Sequence, residues 1–515
     1  MSESLIVAGW IVKGAADRHA AEVVRDAALY QRDGVIVEIG PRDAMVQKYP
    51  HALRLGSPDT VLMPGFVNSH HHVGLTPVQL GSPDHALELW FASRMGARDI
   101  DLYLDTLYSA FEMIASGITT VQHIHGWRPG PLDAIHRAAS RVLDAYRDLG
   151  MRASYSFAVR DQNLLVYEAD DDFCSRLPSE TGDKLRAHLR RFRIPLADYL
   201  QLFDTLTREN EGHALTAIQL APANLHWCSD DTLLALKEKS ARHGVPMHMH
   251  LVETAYQKEY ARRRSGKTAV GHLNDLGLLG PSLTLGHGVW LTEADIETIA
   301  HTGTCICHNC SSNFRLRSGV APLNAFARHG VTVGMGLDEA GINEDRDILQ
   351  EMRLALNVHR TPGMDDDVPT CPQILKMASE DGARTTPFGA RIGRLEEGRL
   401  ADLVLMNYKT ATWPYQDDDI PMLDALMMRA KTNAVDAVMI GGEVVYREGR
   451  FTRMDRDAVL EDIARTLSQP RSPEETARRE LGRAVFPHVK AFYDGYLTGE
   501  SETPREPFYA PSSRI

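Results

Sequence analysis

The chain has 515 residues, 43% hydrophobic and 24% charged, and carries a formal charge of −13. This is longer than one ordinary domain needs and enough for a large α/β core with an appendage. The acidic balance argues against nucleic-acid or anionic-lipid partners, no apolar run reaches the length that spans a bilayer, and six cysteines over so long a chain make no disulfide framework.

In chain order, residues 1–60 read first as part of a small β domain. Leu5–Ala8, Ala28–Tyr30 and Val35–Gly40 look like short antiparallel strands between turn residues. The opening Met1-Ser2-Glu3-Ser4 has no basic, then apolar, leader pattern, so a cytoplasmic location is expected. From residue 61 to about 340 short apolar runs alternate with amphipathic segments, the pattern of βα units around a parallel sheet. Candidate strands are Val61–Val67, Ile118–His123, Arg152–Val159, Ala217–Leu220, Val245–His250, Leu283–His287, Thr304–Cys307 and Val331–Leu337. Eight is the number that closes a (β/α)8 TIM-like barrel, and the spacing predicts a catalytic barrel over residues 61–390.

Helix ends are legible between the strands. Leu104, Leu107, Tyr108, Phe111, Ile114 and Ala115 make one apolar stripe stopped by Gly117. Ser229 caps a segment whose first turn holds Asp230 and Asp231, and Thr292 with Asp295 makes a capping-box start. Residues 161–215 are a charged, irregular insertion of a length that suits a lid or an oligomer contact, and equally a merely decorative insertion. Strands return near Leu403–Leu405, Val435–Ile440 and Glu443–Tyr446, so residues 391–450 complete a small β-sandwich with the N-terminal strands. Residues 451–515 read as a helical C-terminal extension, loose and Pro-rich after Gly499.

The chemistry gathers at strand ends. In Ser69-His70-His71-His72 strand alternation puts His70 and His72 on one face and His71 on the other. His248 and His250 share a face of the fifth strand, with Glu253 just beyond its end. The sixth strand ends at His287 and the eighth at Asp338. Histidines and carboxylates from four strand ends of one rim suit a divalent metal with a position open for water. Any one alone is an ordinary polar residue; their joint placement requires several independent accidents. On the neighbouring loops Trp90, Gln122, His123, His125, Asn224, His226 and Trp227 are candidate substrate contacts, with Trp90 equally suited to core packing. Cys305, Cys307 and Cys310 fit buried packing better than a zinc knot, because no second cluster completes a ligand set.

These motifs resemble the amidohydrolase superfamily, and within it the cytosine deaminase-like and triazine hydrolase-like aminohydrolases. The resemblance rests on Pro64–His72, His250–Thr254, Leu285–Gly288, the stretch from His308 to Gly319 with Ser311-Ser312-Asn313, Gly336–Glu339 and Ile392–Val404. It implies that His70, His72, His250 and Asp338 ligate one divalent metal per chain, zinc first and ferrous iron second. Glu253 and His287 become the proton-handling pair, Asp338 also takes a proton from water, and Asn313 joins the substrate contacts. Relatives with two metals carry a bridging Lys or Glu at the end of the fourth strand, whereas Gln219–Cys228 offers none, which favours a mononuclear site. The implied reaction is hydrolysis of a C–N bond by metal-activated water, deaminating a small purine-, pyrimidine- or triazine-like heterocycle. The alternatives are another leaving group on the same scaffold, such as chloride, an alkylamine or a urea-type amine, and a catalytically inactive scaffold. Arg315 and Arg317 depart from the family pattern and leave the substrate open. A homodimer or larger assembly is expected.

Overall fold

A computed structural model of the chain describes residues 3–126, 128–364 and 366–497. The stretch after Gly499 lies outside the described residues. The barrel strands, in order, are Phe66–His71, Ile118–His125, Arg152–Val159, the broken pair Thr216–Ile218 and Ala221–Pro222, Met247–Leu251, Leu283–His287, Cys305–His308 and Val333–Met335. All neighbours are parallel. Bridges from Leu220 to Met247 and from Asn224 to His250 join the fourth strand to the fifth, and one from His71 to Asp338 joins the first to the eighth. The ring is therefore closed. Every residue of the second and third strands is buried, as a parallel sheet covered on both faces requires.

The capping chemistry forms as the residue types dictate. Asp101 accepts hydrogen bonds from Tyr103 and Leu104 at the start of Leu102–Ala115. Ser229 caps Asp230–His243, and Thr292 with Asp295 completes a capping box on Glu293–Thr302.

The first strand differs from the expected Val61–Val67. Leu53–Pro64 belongs to the terminal sheet, pairing antiparallel with Leu403–Asn407, and the barrel strand begins at Phe66. Gly65 makes the corner: its N–H donates to the Asp402 carbonyl at 2.9 Å, and a Cβ there would lie 2.2 Å from the Thr119 side chain. Only glycine lets the chain pass so close to the second strand.

Strands from both termini form one continuous eight-stranded sheet, in the order Arg450–Phe451, Glu443–Arg447, Val435–Ile440, Leu403–Asn407, Leu53–Pro64, Glu3–Ala15, Ala21–Arg32, Val35–Pro41. The strands are longer than expected, and Glu3–Ala15 runs parallel to Leu53–Pro64 rather than antiparallel. The helix Arg42–Lys48 supplies the crossover that a parallel pair needs.

The insertion is not irregular. It folds as helices Asp170–Ser175, Ser179–Arg190 and Leu196–Glu209, and Leu185 and Leu189 share an apolar cluster with Val485, Val489 and Tyr493 of the helix Pro473–Tyr493. That last helix also packs on Leu87–Arg94, which follows the first barrel strand. Among the described residues no helix is long and apolar enough to cross a membrane.

Sheet and barrel are tied by a buried ion pair. Arg152 of the third strand donates to both Asp402 oxygens at 2.6 and 3.0 Å and to the Ala214 carbonyl at 2.8 Å, while Gly441 N–H donates to Asp402 at 2.7 Å. The pair is fully satisfied, so removing one partner strands a buried charge. Asp402→Ala is expected to cost about 3–5 kcal/mol, read as a lower urea midpoint; an unchanged midpoint would refute the tie.

Candidate metal centre and active site

The strand ends bring His70, His72, His250 and Asp338 together. His72 Nε2 lies 3.0 Å from His70 Nε2 and 3.1 Å from His250 Nε2. An Asp338 oxygen stands 3.1 Å from His72 Nε2 and 3.5 Å from His70 Nε2. The other ring nitrogens say which tautomers are present: His72 Nδ1 donates to the Ile124 carbonyl and His250 Nδ1 to the Ala223 carbonyl, both at 2.7 Å. A proton on Nδ1 leaves a lone pair on Nε2. His70 Nδ1 faces His248 Nε2 at 2.8 Å, so His248 stands behind a cluster member. His71 turns away to Ser109, 3.1 Å from its Nε2.

Burial pushes His70 down to about 3 and His250 well below the usual imidazole value; these rings are neutral. Burial opposes the ionised form of Asp338, but His70 and His72 beside it hold its carboxyl well below the ordinary range. Ser312 donates to its second oxygen at 2.5 Å. Three imidazole nitrogens and a carboxylate oxygen converging on one point form a donor set that fits a divalent cation.

Glu253 and His287 lie beside this cluster. His287 Nε2 is 3.6 Å from a Glu253 oxygen and 3.8 Å from an Asp338 oxygen. His287 Nδ1 donates to Asn313 Oδ1 at 2.9 Å, which fixes the ring with Nε2 toward the carboxylates. Burial first, then the charges of Asp338 and Glu88, hold Glu253 well above the ordinary carboxylate value. Backbone strain marks the same strand ends: Val252, His287 and Asp338 have φ of 41°, 72° and 53°, a region that costs a non-glycine residue energy and gathers at functional sites.

A cavity of about 230 Å³ opens onto the cluster and is lined by His72, His250, Glu253, His287 and Asp338. Of the loop residues singled out from sequence, Trp90, His123, His125, Asn224 and Trp227 line it as well. Gln122, His226 and Asn313 do not. Gln122 donates to Ser156 at 3.1 Å, His226 packs between Tyr167 and Trp227, and Asn313 serves His287. Arg315 ties the rim together, bonding Asp84 at 2.9 and 3.1 Å, the Gly341 carbonyl at 2.9 Å and Glu344.

Asn68 is a clamp that the strand-end pattern does not single out: its Oδ1 accepts from Leu337 N–H at 3.1 Å and His70 N–H at 3.3 Å. The signal was present, since Asn68 precedes His70 by two on one strand face. Ser318, whose hydroxyl lies 3.3 Å from Glu253, gives no comparable signal.

The model of the amidohydrolase family matches residues 61–445. The chain belongs to this family. It is 28% identical over 451 residues to a protein of Thermodesulfovibrio yellowstonii named 5-methylthioadenosine/S-adenosylhomocysteine deaminase, covering 85% of this chain and 93% of the relative. Its fold is similar to that of a triazine hydrolase from Arthrobacter aurescens, with a TM-score of 0.76 at 20% identity over 91% of this chain and all of that one. An adenosine deaminase from Xanthomonas campestris, solved with bound zinc, matches at a TM-score of 0.72 and 24% identity over 94% and 99% of the two chains. These likenesses agree with the closed eight-stranded barrel of this amidohydrolase.

Asn313→Leu removes the acceptor that orients His287. It is expected to lower kcat about 10–100-fold with metal content unchanged, measured by steady-state kinetics beside elemental analysis; loss of metal instead would assign Asn313 to the donor set.

Proposed function

We propose that the protein is a mononuclear metal-dependent aminohydrolase that replaces the exocyclic amine of a small nitrogen heterocycle by a carbonyl, releasing ammonia. The observation that carries this reading is one cavity holding both a convergent His–His–His–Asp donor set and, 3.6 Å from His287, the buried carboxyl of Glu253, whose burial favours its protonated form. His70, His72, His250 and Asp338 would hold one divalent ion, zinc before iron, because neutral imidazole and carboxylate suit zinc. When bound, the ion supplies Lewis acidity and brings the pKa of water to about 7 in favourable sites.

The protein's own groups then divide the proton work. Asp338, ionised and steadied by Ser312, accepts a proton from the attacking water. Glu253, whose buried setting favours the protonated form, donates to the ring nitrogen beside the attacked carbon, so no bare negative charge builds up in the cavity. His287, pinned by Asn313 through Nδ1, presents Nε2 as an acceptor that orients the water from between the two carboxyls. The leaving amine collects the proton held by Asp338 and departs as ammonia, and the remaining hydroxyl proton passes to Glu253 as the carbonyl forms.

Trp90, Phe91 and Trp227 on the cavity wall offer faces for a flat ring. The relatives named for deaminating adenosine derivatives favour a purine nucleoside-like substrate over a pyrimidine or triazine. The rival leaving groups, chloride and alkylamine, would pass through the same intermediate, and the solved triazine and atrazine hydrolases keep them in view. In this reading residues 61–390 carry the chemistry, and 1–60 with 391–450 form the scaffold domain that the shared eight-stranded sheet supports.

Three results test the proposal. Purified protein should contain about one ion per chain, and chelation should abolish ammonia release until zinc is restored; two ions per chain would defeat the mononuclear site. Glu253→Gln should retain the metal and lose about 10²–10⁴-fold in kcat. Across purine, pyrimidine and triazine amines, release of chloride or alkylamine without ammonia would replace the deaminase assignment with its rival.

A further inference from the structure

The pattern of thiols alone leaves Cys310 as a packing residue, but the fold brings two imidazoles to it. His308 ends the seventh barrel strand, Cys310 begins the short helix Cys310–Arg315, and His359 caps the end of the helix Ile348–Val358. A ring nitrogen of each histidine and the Cys310 sulfur all lie within 4.8 Å of one another. The three residues are buried, at 1%, 2% and 4% exposure, and none belongs to the donor set formed by His70, His72, His250 and Asp338.

Geometry and unmet bonding both point to an ion. His308 Nε2 and His359 Nε2 are 2.9 Å apart, close to the 3.0 and 3.1 Å between the Nε2 atoms of the strand-end cluster. Zinc holds thiolate sulfur at about 2.3 Å and imidazole nitrogen at about 2.0 Å, so donors that share one ion stand roughly 3–4 Å apart. Small side-chain adjustments bring all three to one centre. A single N–H···N bond between the rings does not settle the cluster, because Nδ1 of His308 stays buried without a hydrogen-bond partner.

The backbone that carries the donors is fixed independently of them. Gly336 N–H donates to the His308 carbonyl at 3.0 Å, Asn324 Nδ2 to the His359 carbonyl at 2.9 Å, and Ser311 N–H to Glu351 at 3.0 Å. Donors mounted on a strand end and two helix ends are already positioned before any ion arrives. Binding then requires one exchange: the Cys310 S–H bond gives its proton to solvent as the metal–sulfur bond forms, with no change of oxidation state. The strand-end set contains a carboxylate, which needs no such exchange at neutral pH. It therefore fills first.

We propose that His308, Cys310 and His359 form a second metal site, which takes up a divalent cation that accepts sulfur and nitrogen, of the zinc and cobalt class and not the magnesium and calcium class. The site is separate from the reacting groups and independent of the deaminase reading. The protein as purified keeps its one ion, and this site fills when metal is added. A bound ion clamps the helix Cys310–Arg315 to the end of Ile348–Val358. That short helix carries Ser312 and Asn313, which hold Asp338 and His287.

The test adds cobalt(II), and then zinc, to the full chain already carrying one zinc. One further cobalt per chain should bind with a thiolate-to-cobalt charge-transfer band, a signature that the strand-end donors, all nitrogen and oxygen, cannot give. Zinc should displace the cobalt and raise the melting temperature. Cys310→Ser and His359→Gln should each lose the second ion and retain the first. A further measurement needs no variant: peptide mapping after iodoacetamide labelling in mild urea should find Cys310 protected by added zinc and the other cysteines not. Absence of a second ion, a second ion without the band, or a band that survives Cys310→Ser overturns the site. Protection of Cys307 instead would place the ion against His70 and His248 and overturns it equally.

Discussion

Imidazole lone pairs repel one another, and this site forces them together. His72 Nε2 sits within 3.1 Å of two other Nε2 atoms and of a carboxylate oxygen. Three crowded imidazoles do not favour that arrangement by themselves; it is imposed from behind. The carbonyls of Ile124 and Ala223 take the Nδ1 protons of His72 and His250, and each carbonyl belongs to the neighbouring strand. The parallel ladder thus sets the tautomers, and the tautomers aim the lone pairs. Closing the barrel through His71 and Asp338 brings the carboxylate to the same point. Had the ring stayed open, there would be two half-sites and no donor set.

Much of this was legible in the chain because parallel strands buried on both faces read as unbroken apolar runs ended by polar residues. His287 and Asp338 stand out for that reason, each the polar stop of a run. Alternation could not choose between His248 and His250, which share a strand face. The family resemblance chose His250, and the hydrogen bonds distinguish the two rings, one donating to a carbonyl and pointing its Nε2 inward, the other tucked behind His70.

What could not be read depends on chain paths rather than periodicity. Gly65 turns one apolar run into two strands of different sheets, a corner invisible to pattern because both halves are equally apolar. The insertion looked irregular because its helices bury narrow stripes against a partner almost 300 residues away. Arg315, which departs from the family pattern, gains its reason only when Asp84 and Glu344 arrive from two other loops.

The helix Pro473–Tyr493 joins distant parts of the chain at the cavity. It packs on Leu87–Arg94 and on the insertion, and its Arg478 lines the cavity that His188 and Phe192 of the insertion also line. All the residues of the donor set, by contrast, lie before residue 339. In chain order these residues therefore come well before Pro473–Tyr493, a helix that helps wall the cavity they open into.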